Sequence, residues 1–342
     1  MPNRFDYRGG EHEAWLDRVV EPILEPALPI VDAHHHLWIR NDVPYLLREF
    51  AADLRSGHNV VATVFAECHS MYRTDGPVEA RPVGEMEFIA GIAAMSDSGA
   101  FGSPGVCRAA VGNVDLTLGA AVEPVLESLS LASGGRFRGI RASVCWDESS
   151  ALHRAAPRAH VLGEGRVREA IGVLERMRLS LDCWLYHPQI PELTAVADAF
   201  PNLTIILNHT GTPILGGPYR DQLDDVRMQW LTAMTDLARR DNVYVKLGAL
   251  PAKFGGDNKA RSLPPSSGDV AAAWRPWIEP CIERFGARRC MFESNFPVHK
   301  NWLSYPVLWN AFKRIAGNAS DAEKADLFSG AATRAYRVAI DQ

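Results

Sequence analysis

The stretch Pro29-Ile-Val-Asp-Ala-His-His-His-Leu-Trp38 is the key to this chain, because its apolar start runs directly into three histidines. Successive side chains of a β-strand alternate between two faces, so Asp32, His34 and His36 are predicted to project together. His35 is then predicted to point the other way. Two imidazoles on one face at a strand end can reach one divalent cation, and zinc accepts neutral imidazole readily. The stretch therefore predicts a His-x-His metal pair rather than a tag remnant, since three histidines inside an apolar context do not make a tag.

The composition is that of a globular protein with a large core. Of its 342 residues, 47% are hydrophobic, and the formal net charge of -5 gives no electrostatic reason to expect nucleic acid or an anionic membrane as a partner. The six cysteines contain no C-x-x-C pair, which argues against a disulfide framework and a thiolate zinc site. No apolar signal segment opens the chain, and no window of ~18 apolar residues occurs. We therefore expect a soluble, cytoplasmic protein.

Eight short apolar segments alternate with helical segments along the chain. The predicted strands are 30–36, 59–67, 107–114, 137–144, 179–186, 203–208, 243–247 and 289–292. This alternation is typical of a parallel α/β sheet covered by helices, and eight units favour a closed (β/α)8 TIM barrel over an open sheet. No Gly-x-Gly-x-x-Gly follows the first strand, so nothing supports a nucleotide-binding fold.

A single barrel domain is expected over residues 29–342, preceded by a polar N-terminal arm over residues 1–28. Three long loops follow the second, fourth and seventh strands, at 68–84, 145–164 and 248–268. They are rich in glycine, proline or mixed charge, as loops are. Because barrel enzymes build their sites from the loops after the strands, these three are predicted to form the pocket.

Polar side chains end seven of the eight predicted strands, which is the pattern of an active site at the carboxyl end of a barrel. They are His34 with His36, Glu67, Arg141, Tyr186 with His187, Asn208 with His209, Lys246, and Glu293 with Asn295. A lone histidine at a strand end is more often a buried structural group than a ligand. The convergence of the whole set on one end is the stronger argument, and it survives boundary shifts of about two residues.

Five motifs follow one another along the chain: Asp32-Ala-His-His-His-Leu-Trp38, Gly139-Ile-Arg141, Tyr186-His-Pro-Gln-Ile-Pro191, Leu207-Asn-His-Thr-Gly211 and Met291-Phe-Glu-Ser-Asn-Phe-Pro297. Together they resemble the amidohydrolase superfamily. The branch to which the chain is most similar is that of the amidohydrolase-related lactonases, which includes 2-pyrone-4,6-dicarboxylate lactonase and fuconolactonase-like enzymes. The resemblance covers residues 29 to 338 and implies a (β/α)8 barrel that hydrolyses small cyclic esters or related carboxyl compounds.

The resemblance also implies a metal site. His34 and His36 match the ligands of the first strand, and His187 matches a histidine that mononuclear relatives add as a ligand. One divalent metal is therefore expected, with zinc as the first choice. Metal use varies in the family, and some lactonases of this branch work without metal.

The same resemblance predicts how a small carboxylate or lactone substrate is held. Arg141 matches a position that can hold a substrate carboxylate, for which the planar guanidinium group is well shaped. Tyr186, Lys246 and Trp38 are expected to bind the substrate alongside it.

The chain departs from the family at the eighth strand. The family usually has an aspartate there, which takes a proton from the attacking water, and this chain has Asn295. A carboxamide cannot act as a base near pH 7. Three groups could replace it: His209, whose residue type titrates near neutrality, Glu293 and Glu67. Glu293 could equally be a buried partner that orients a histidine.

Three hypotheses for function follow. The first is a metal-assisted or metal-optional hydrolase that opens a lactone or a similar small ester by attack of activated water. The second is a mononuclear-metal decarboxylase of a small aromatic acid, in which no water is activated. The third is a non-catalytic barrel that has kept a binding pocket. A homo-oligomer is compatible with the sequence.

Overall fold

The computed structural model describes residues 10–102, 105–250 and 262–340. Within these ranges the strands are β1 (Ile30–His35), β2 (Trp38–Arg40), β3 (Val43–Tyr45), β4 (Val60–Ala66), β5 (Gly105–Gly112), β6 (Phe137–Ser143), β7 (Ser180–Trp184), β8 (Ile205–Leu207), β9 (Val243–Leu247) and β10 (Cys290–Phe292). Eight of them form one parallel sheet in the order β1, β4, β5, β6, β7, β8, β9, β10. The remaining two, β2 and β3, pair as an antiparallel hairpin directly after the histidine stretch.

The sheet closes on itself where β1 meets the segment after β10. The backbone N–H of Asn295 donates to His34 O at 2.8 Å, and the N–H of His36 donates to Phe296 O at 2.8 Å. Eight parallel strands thus form a nearly closed barrel, and the predicted (β/α)8 TIM barrel is confirmed. The hairpin of β2 and β3 was not predicted, because strands of three residues carry too little alternation to be recognised.

Helices surround the barrel. They are α1 (Gly10–Leu16), α2 (Leu47–Leu54), α3 (Val83–Asp97), α4 (Glu123–Ala132), α5 (Gly165–Arg176), α6 (Ile190–Ala199), α7 (Leu223–Leu237), α8 (Ser267–Phe285), α9 (Tyr305–Ile315), α10 (Asp321–Ala325) and α11 (Ala331–Tyr336). Their apolar faces pack on the outward residues of the strands and form the main core. None of the helices in the described ranges has the length and apolar character that a membrane crossing requires.

The barrel interior is divided by depth. Small apolar side chains from β1, β4 and β5 fill its lower part and pack against alanines of α11. Tyr336 of α11 reaches in from the same end, while Arg138, near the start of β6, donates to the backbone oxygen of Tyr336 at 2.7 Å. The amino end of the barrel is therefore plugged, and the polar residues of the strands gather at the carboxyl end.

The described part of the N-terminal arm, residues 10–28, docks on the outer helices. The N–H of Ser267, at the start of α8, donates to the Glu21 carboxylate at 2.7 Å. The ammonium group of Lys313 in α9 donates to the backbone oxygens of Leu24 and Glu25 at 2.7 and 2.8 Å. These contacts tie the arm to the barrel beside α8 and α9. Of the third predicted loop, 248–268, residues 251–261 lie outside the described residues.

Candidate active site

A β-bulge in β1 determines which side chains enter the barrel. Between Asp32 and His35 the strand advances three residues while β4 advances two, from Thr63 to Phe65. His35 faces outward, as predicted: it stacks on Phe50 of α2 at 4.2 Å, and its Nε2 lies 2.9 Å from the hydroxyl of Thr63. The bulge thus breaks the strict alternation on which the sequence analysis relied.

Asp32 does not join the histidines, and that prediction was wrong because of the bulge. Its carboxylate accepts hydrogen bonds from the Tyr305 hydroxyl of α9 at 3.0 Å and from the N–H of Ser294 at 2.9 Å. Burial raises its pKa to about 6, although these hydrogen bonds oppose the rise. Asp32 therefore secures the start of the site to the helix layer.

His34 and His36 point to the same place inside the mouth of the barrel. Their Nε2 atoms lie 3.2 Å apart, and both side chains are buried. His36 Nδ1 lies 2.8 Å from Ala66 O, which can only accept, so Nδ1 carries the proton and Nε2 presents a lone pair. Burial, and then the charge of Arg141, lower the pKa of His36 well below its ordinary value. His36 is thus neutral with its free nitrogen turned toward His34.

His209 and Glu293 form a second pair against His34. A short turn after β8 holds His209 with a φ of 58°, a left-handed conformation that is uncommon for a non-glycine residue. Glu293 Oε1 accepts hydrogen bonds from the backbone N–H and from Nδ1 of His209, at 3.1 and 2.8 Å. The ring of His209 lies 4.8 Å from that of His34. We call His34, His36, His209 and Glu293 the mouth cluster.

Glu293 remains ionised in this cluster. Its burial would raise its pKa, but the charge of His209, the hydrogen bond from His209 and the charge of Lys246 outweigh burial and lower the pKa below its ordinary value. A carboxylate only accepts hydrogen bonds, so His209 Nδ1 must carry a proton, and in the neutral ring the lone pair is therefore on His209 Nε2. Glu293 thereby fixes both the tautomer and the ring orientation of His209.

Arg141 and Glu67 face each other at the rim. Arg141 Nε donates to Glu67 Oε1 at 2.8 Å, and a terminal nitrogen donates to Glu67 O at 2.6 Å. The other terminal nitrogen of Arg141 lies 3.4 Å from His34 Nε2. Burial, and then the charge of Glu67, raise the pKa of the neighbouring Glu85 to about 8. Arg141 and Glu67 form a buried ion pair in which each offsets the charge of the other.

Lys246 is bound deeper in the barrel. Its ammonium group donates to Asp182 Oδ2 of β7 at 2.7 Å and reaches His34 Nδ1 at 3.2 Å. Asp182 also accepts from the hydroxyl of Tyr336 at 2.7 Å and from the amide of Asn208 at 3.0 Å. We call Lys246, Asp182 and Tyr336 the floor cluster. Asp182 was not predicted as a site residue, because it lies in the middle of β7 and not at its carboxyl end.

Two further predicted residues, Tyr186 and His187, contact the loops around β7 and not the mouth cluster. The Tyr186 hydroxyl donates to His153 O at 2.9 Å, and the ring belongs to a small apolar cluster with Leu152 and Ile214. His187 Nδ1 accepts from the N–H of Ile214 at 3.4 Å, and its ring contacts Tyr219 at 5.9 Å. Burial lowers the pKa of His187 to about 4.

Asn295, Trp38 and Trp184 complete the surroundings of the mouth cluster. Asn295 has a φ of 51° and is held to β1 through its backbone, and its side chain is buried. Trp38 stacks on His36 with ring centroids 5.2 Å apart. Trp184 lies 6.0 Å from the ring of His209 and 5.8 Å from the Arg141 guanidinium carbon. Trp184 was missed, although its alternation with Asp182 along β7 could have identified it as inward-facing.

The loop after β6 forms a separate cavity of about 480 Å³ with the segments after β7 and β8. Its lining includes Trp146, Asp147, Gln189 and Tyr219. None of the residues predicted to bind metal or substrate lines it. The loop 145–164 thus contributes to a cavity, but not to one centred on the histidines.

The mouth cluster has the donors for a divalent metal. Two nitrogens that bind one tetrahedral zinc ion at about 2.0–2.1 Å lie about 3.3–3.4 Å apart, close to the 3.2 Å between His34 Nε2 and His36 Nε2. In the described residues, one ligand atom each of His34, His209 and Glu293 also lie within 4.8 Å of one another. His187 belongs to neither group. The residues close enough to share a metal ion are therefore those of the mouth cluster, and His187 is not among them.

Neutral His34 can carry its proton on Nε2 or on Nδ1, and only the second tautomer leaves Nε2 free for a metal. With Lys246 donating to Nδ1, the proton of neutral His34 sits on Nε2 and can be donated to His36. Glu293 Oε2 then has no hydrogen-bond partner, although it is buried and lies 3.2 Å from His34 Nδ1. Moving the proton to Nδ1 would satisfy Glu293 Oε2 and free Nε2 for a metal. The charge of Arg141 beside Nε2 works against such an ion.

Comparison with known proteins agrees with the fold and identifies the family. The family model described as amidohydrolase matches residues 31–338. The chain is 30% identical over 334 residues to an uncharacterised protein, y4mH, of Sinorhizobium fredii, which covers 91% of this chain and 99% of the relative. It is 28% identical over 160 residues to an L-fucono-1,5-lactonase of Burkholderia multivorans, covering 45% of this chain and 50% of that enzyme.

A solved structure shares the whole fold. An amidohydrolase of Burkholderia multivorans, crystallised with bound zinc, superimposes with a TM-score of 0.70 at 20% identity. The alignment covers 91% of this chain and 99% of that structure. The family match extends from β1 to the end of α11 and so includes every strand of the barrel and every member of the mouth cluster. The chain belongs to the amidohydrolase family and is a hydrolase.

Proposed function

We propose that this hydrolase opens a lactone, or a similar small cyclic ester, by attack of a water molecule that His209 deprotonates. The observation that carries the proposal is the pairing of His209 with Glu293, in which Nδ1 and Oε1 are 2.8 Å apart. In the neutral ring this pairing leaves His209 Nε2 with a lone pair, as a general base requires. The lactonase relatives support an ester with an internal leaving group as the substrate class.

His209 would act twice in the reaction. Nε2 takes a proton from water as the oxygen adds to the ester carbonyl. The ring C–O bond then breaks, and the same proton passes from His209 to the alkoxide that leaves. The ionised Glu293 stabilises the imidazolium form between these steps. This assignment provides the base that Asn295 cannot be, and it makes Glu293 a positioning residue.

Zinc is the metal that we propose for the mouth cluster, held by Nε2 of His34 and Nε2 of His36. When bound, it would supply a Lewis acid for the ester carbonyl. The neutral states of both histidines suit this role, since burial lowers the pKa of each well below its ordinary value. Arg141, Lys246 and Trp38 border the same histidines. Of these, Arg141 and Trp38 are proposed to shape the substrate site, while Lys246 is held in the floor cluster.

The test is proton release from γ- and δ-lactones in a weakly buffered indicator assay, with protein as purified, zinc-loaded and chelator-treated. We expect ring opening with a rate that depends on the intact His209. Release of carbon dioxide from aromatic acids without lactone opening would favour the decarboxylase. Binding without any turnover in all three preparations would contradict an enzymatic function at this site.

A further inference from the structure

Arg40 sits at the edge of the mouth cluster in a fixed position. It is the last residue of β2, in the hairpin that follows the histidine stretch. Its guanidinium carbon lies 3.7 Å above the ring of Trp38, and one terminal nitrogen donates to Cys68 O at 2.9 Å. Trp38 in turn stacks on His36. A stack of three planar groups therefore connects Arg40 to a histidine of the cluster.

The other two cations near the cluster are neutralised by the protein itself. Arg141 is paired with Glu67 at 2.8 Å, and Lys246 is paired with Asp182 at 2.7 Å. Across the described ranges, Arg40 makes no ion pair with any carboxylate. Its side chain is half-buried, so it has lost part of its hydration without gaining a counter-ion. Among the described residues, Arg40 is therefore a cation without a carboxylate in direct contact.

A second guanidinium group, that of Arg141, acts on Arg40 electrostatically. Arg40 lies close enough to the cluster that its charge contributes to the lowered pKa of His36. Burial lowers the pKa of Arg40, and the charge of Arg141 acts in the same direction, although Cys68, Glu67 and Glu85 oppose this change without forming an ion pair with Arg40. An anion placed here would relieve the repulsion between two guanidinium groups. A guanidinium group has five N–H donors, and among the described residues Arg40 makes one hydrogen bond, to Cys68 O.

We propose that Arg40 binds a carboxylate carried by the substrate, so that the enzyme prefers anionic lactones to neutral ones. The planar guanidinium edge matches a carboxylate in a two-point contact. The stack on Trp38 holds that edge in place before the substrate arrives, which limits the entropy lost on binding. The proposal rests on lactone hydrolysis at the mouth cluster and adds the charge of the substrate to it. It also assigns to Arg40 the anion-binding role that the sequence suggested for Arg141 and Lys246.

Two pairs of compounds test the proposal. γ-Butyrolactone-γ-carboxylate and its neutral carboxamide are compared as substrates. Glutarate and its neutral diamide, glutaramide, are compared as binding probes by calorimetry. The variants are Arg40→Met, which keeps the stem over Trp38, and Arg40→Lys, which keeps the charge but loses the planar edge. The control is Arg154→Met, because Arg154 also lies over a tryptophan, Trp146, and also donates to backbone oxygens.

Arg40→Met should raise KM for the carboxylate about tenfold or more, as expected for loss of a hydrogen-bonded charge partner, and leave KM for the carboxamide within about twofold. Glutarate should bind wild type at least tenfold more tightly than glutaramide, and Arg40→Met should remove that difference. Arg40→Lys should fall between, and Arg154→Met should match wild type in both assays.

The two proposals fail in different ways. If wild type opens no lactone yet binds glutarate through Arg40, lactone hydrolysis is wrong and the anion site stands. If lactones are opened but Arg40→Met affects carboxylate and carboxamide equally, the anion site is wrong. Equal binding of glutarate and glutaramide by wild type would also overturn it.

Discussion

The mouth cluster and the floor cluster lie in one barrel and share a neighbour, His34, yet they differ in how completely their polar groups are satisfied. In the floor cluster, Asp182 accepts from Lys246, Asn208 and Tyr336. In the mouth cluster, Glu293 Oε2 has no hydrogen-bond partner among the described residues, and the Nε2 atoms of His34 and His36 have only one another at 3.2 Å and, for His34, the Arg141 guanidinium at 3.4 Å. Polar groups whose hydrogen bonds are all made stabilise the interior, whereas buried polar atoms without a hydrogen-bond partner indicate where a ligand binds.

The largest effect is expected from His209→Asn in the mouth cluster. Asparagine can still donate to Glu293 but cannot take a proton from water, so lactone opening should slow by about 10²–10⁴-fold. Steady-state proton release measures this rate, and thermal unfolding should show little change in Tm. Glu293→Gln is the companion variant: it should displace the pH–rate profile, because the imidazolium loses its carboxylate partner. A His209→Asn enzyme with wild-type turnover would remove His209 from the mechanism.

The next effect concerns the floor cluster and should appear in stability. Lys246→Met leaves the carboxylate of Asp182 buried without its cation, which should lower the free energy of unfolding by about 3–5 kcal/mol. Urea denaturation measures the loss. Replacing both residues, as Lys246→Met with Asp182→Leu, should recover part of it, because no unpaired charge remains. A stable Lys246→Met protein with weakened binding of anionic lactones would instead place Lys246 in the substrate site.

The smallest effect separates His187 from the mouth cluster. Its pKa in the folded protein is about 4, below the ordinary 6.5, so the unfolded chain takes up a proton first as the solution is acidified. The stability due to neutral His187 is therefore complete above pH 6.5 and is lost as pH falls to about 4, a change of about 3 kcal/mol.

In His187→Gln this part of the acid dependence should disappear, so the stability difference from wild type should shrink between pH 6.5 and 4. Urea titrations at several pH values measure it. Zinc content should be unchanged in the variant, because His187 lies with Ile214 and Tyr219 rather than with His34. Loss of zinc on this substitution would restore His187 as a ligand.

The local sequence pattern predicted the secondary-structure elements, which depend on neighbouring residues. All eight barrel strands were recognised, and residues 243–247 coincide with β9. Alternation also separated His35 from His34 and His36. It failed at Asp32, because the extra residue of the bulge appears only when β1 is aligned with β4. Register between strands is a property of the pair, so one strand's sequence could not reveal it.

The sequence by itself determined the barrel, its family and the end of the barrel that carries the polar residues, because strand periodicity and short motifs are local properties. Only the tertiary structure decided which of those residues are available to a ligand. Arg141 meets Glu67 across 74 positions of sequence, Lys246 meets Asp182 across 64, and His209 meets Glu293 across 84. Charge neutralisation inside a barrel depends on such distant partners, and for that reason the partners of Arg141 and the isolation of Arg40 could not be predicted from sequence.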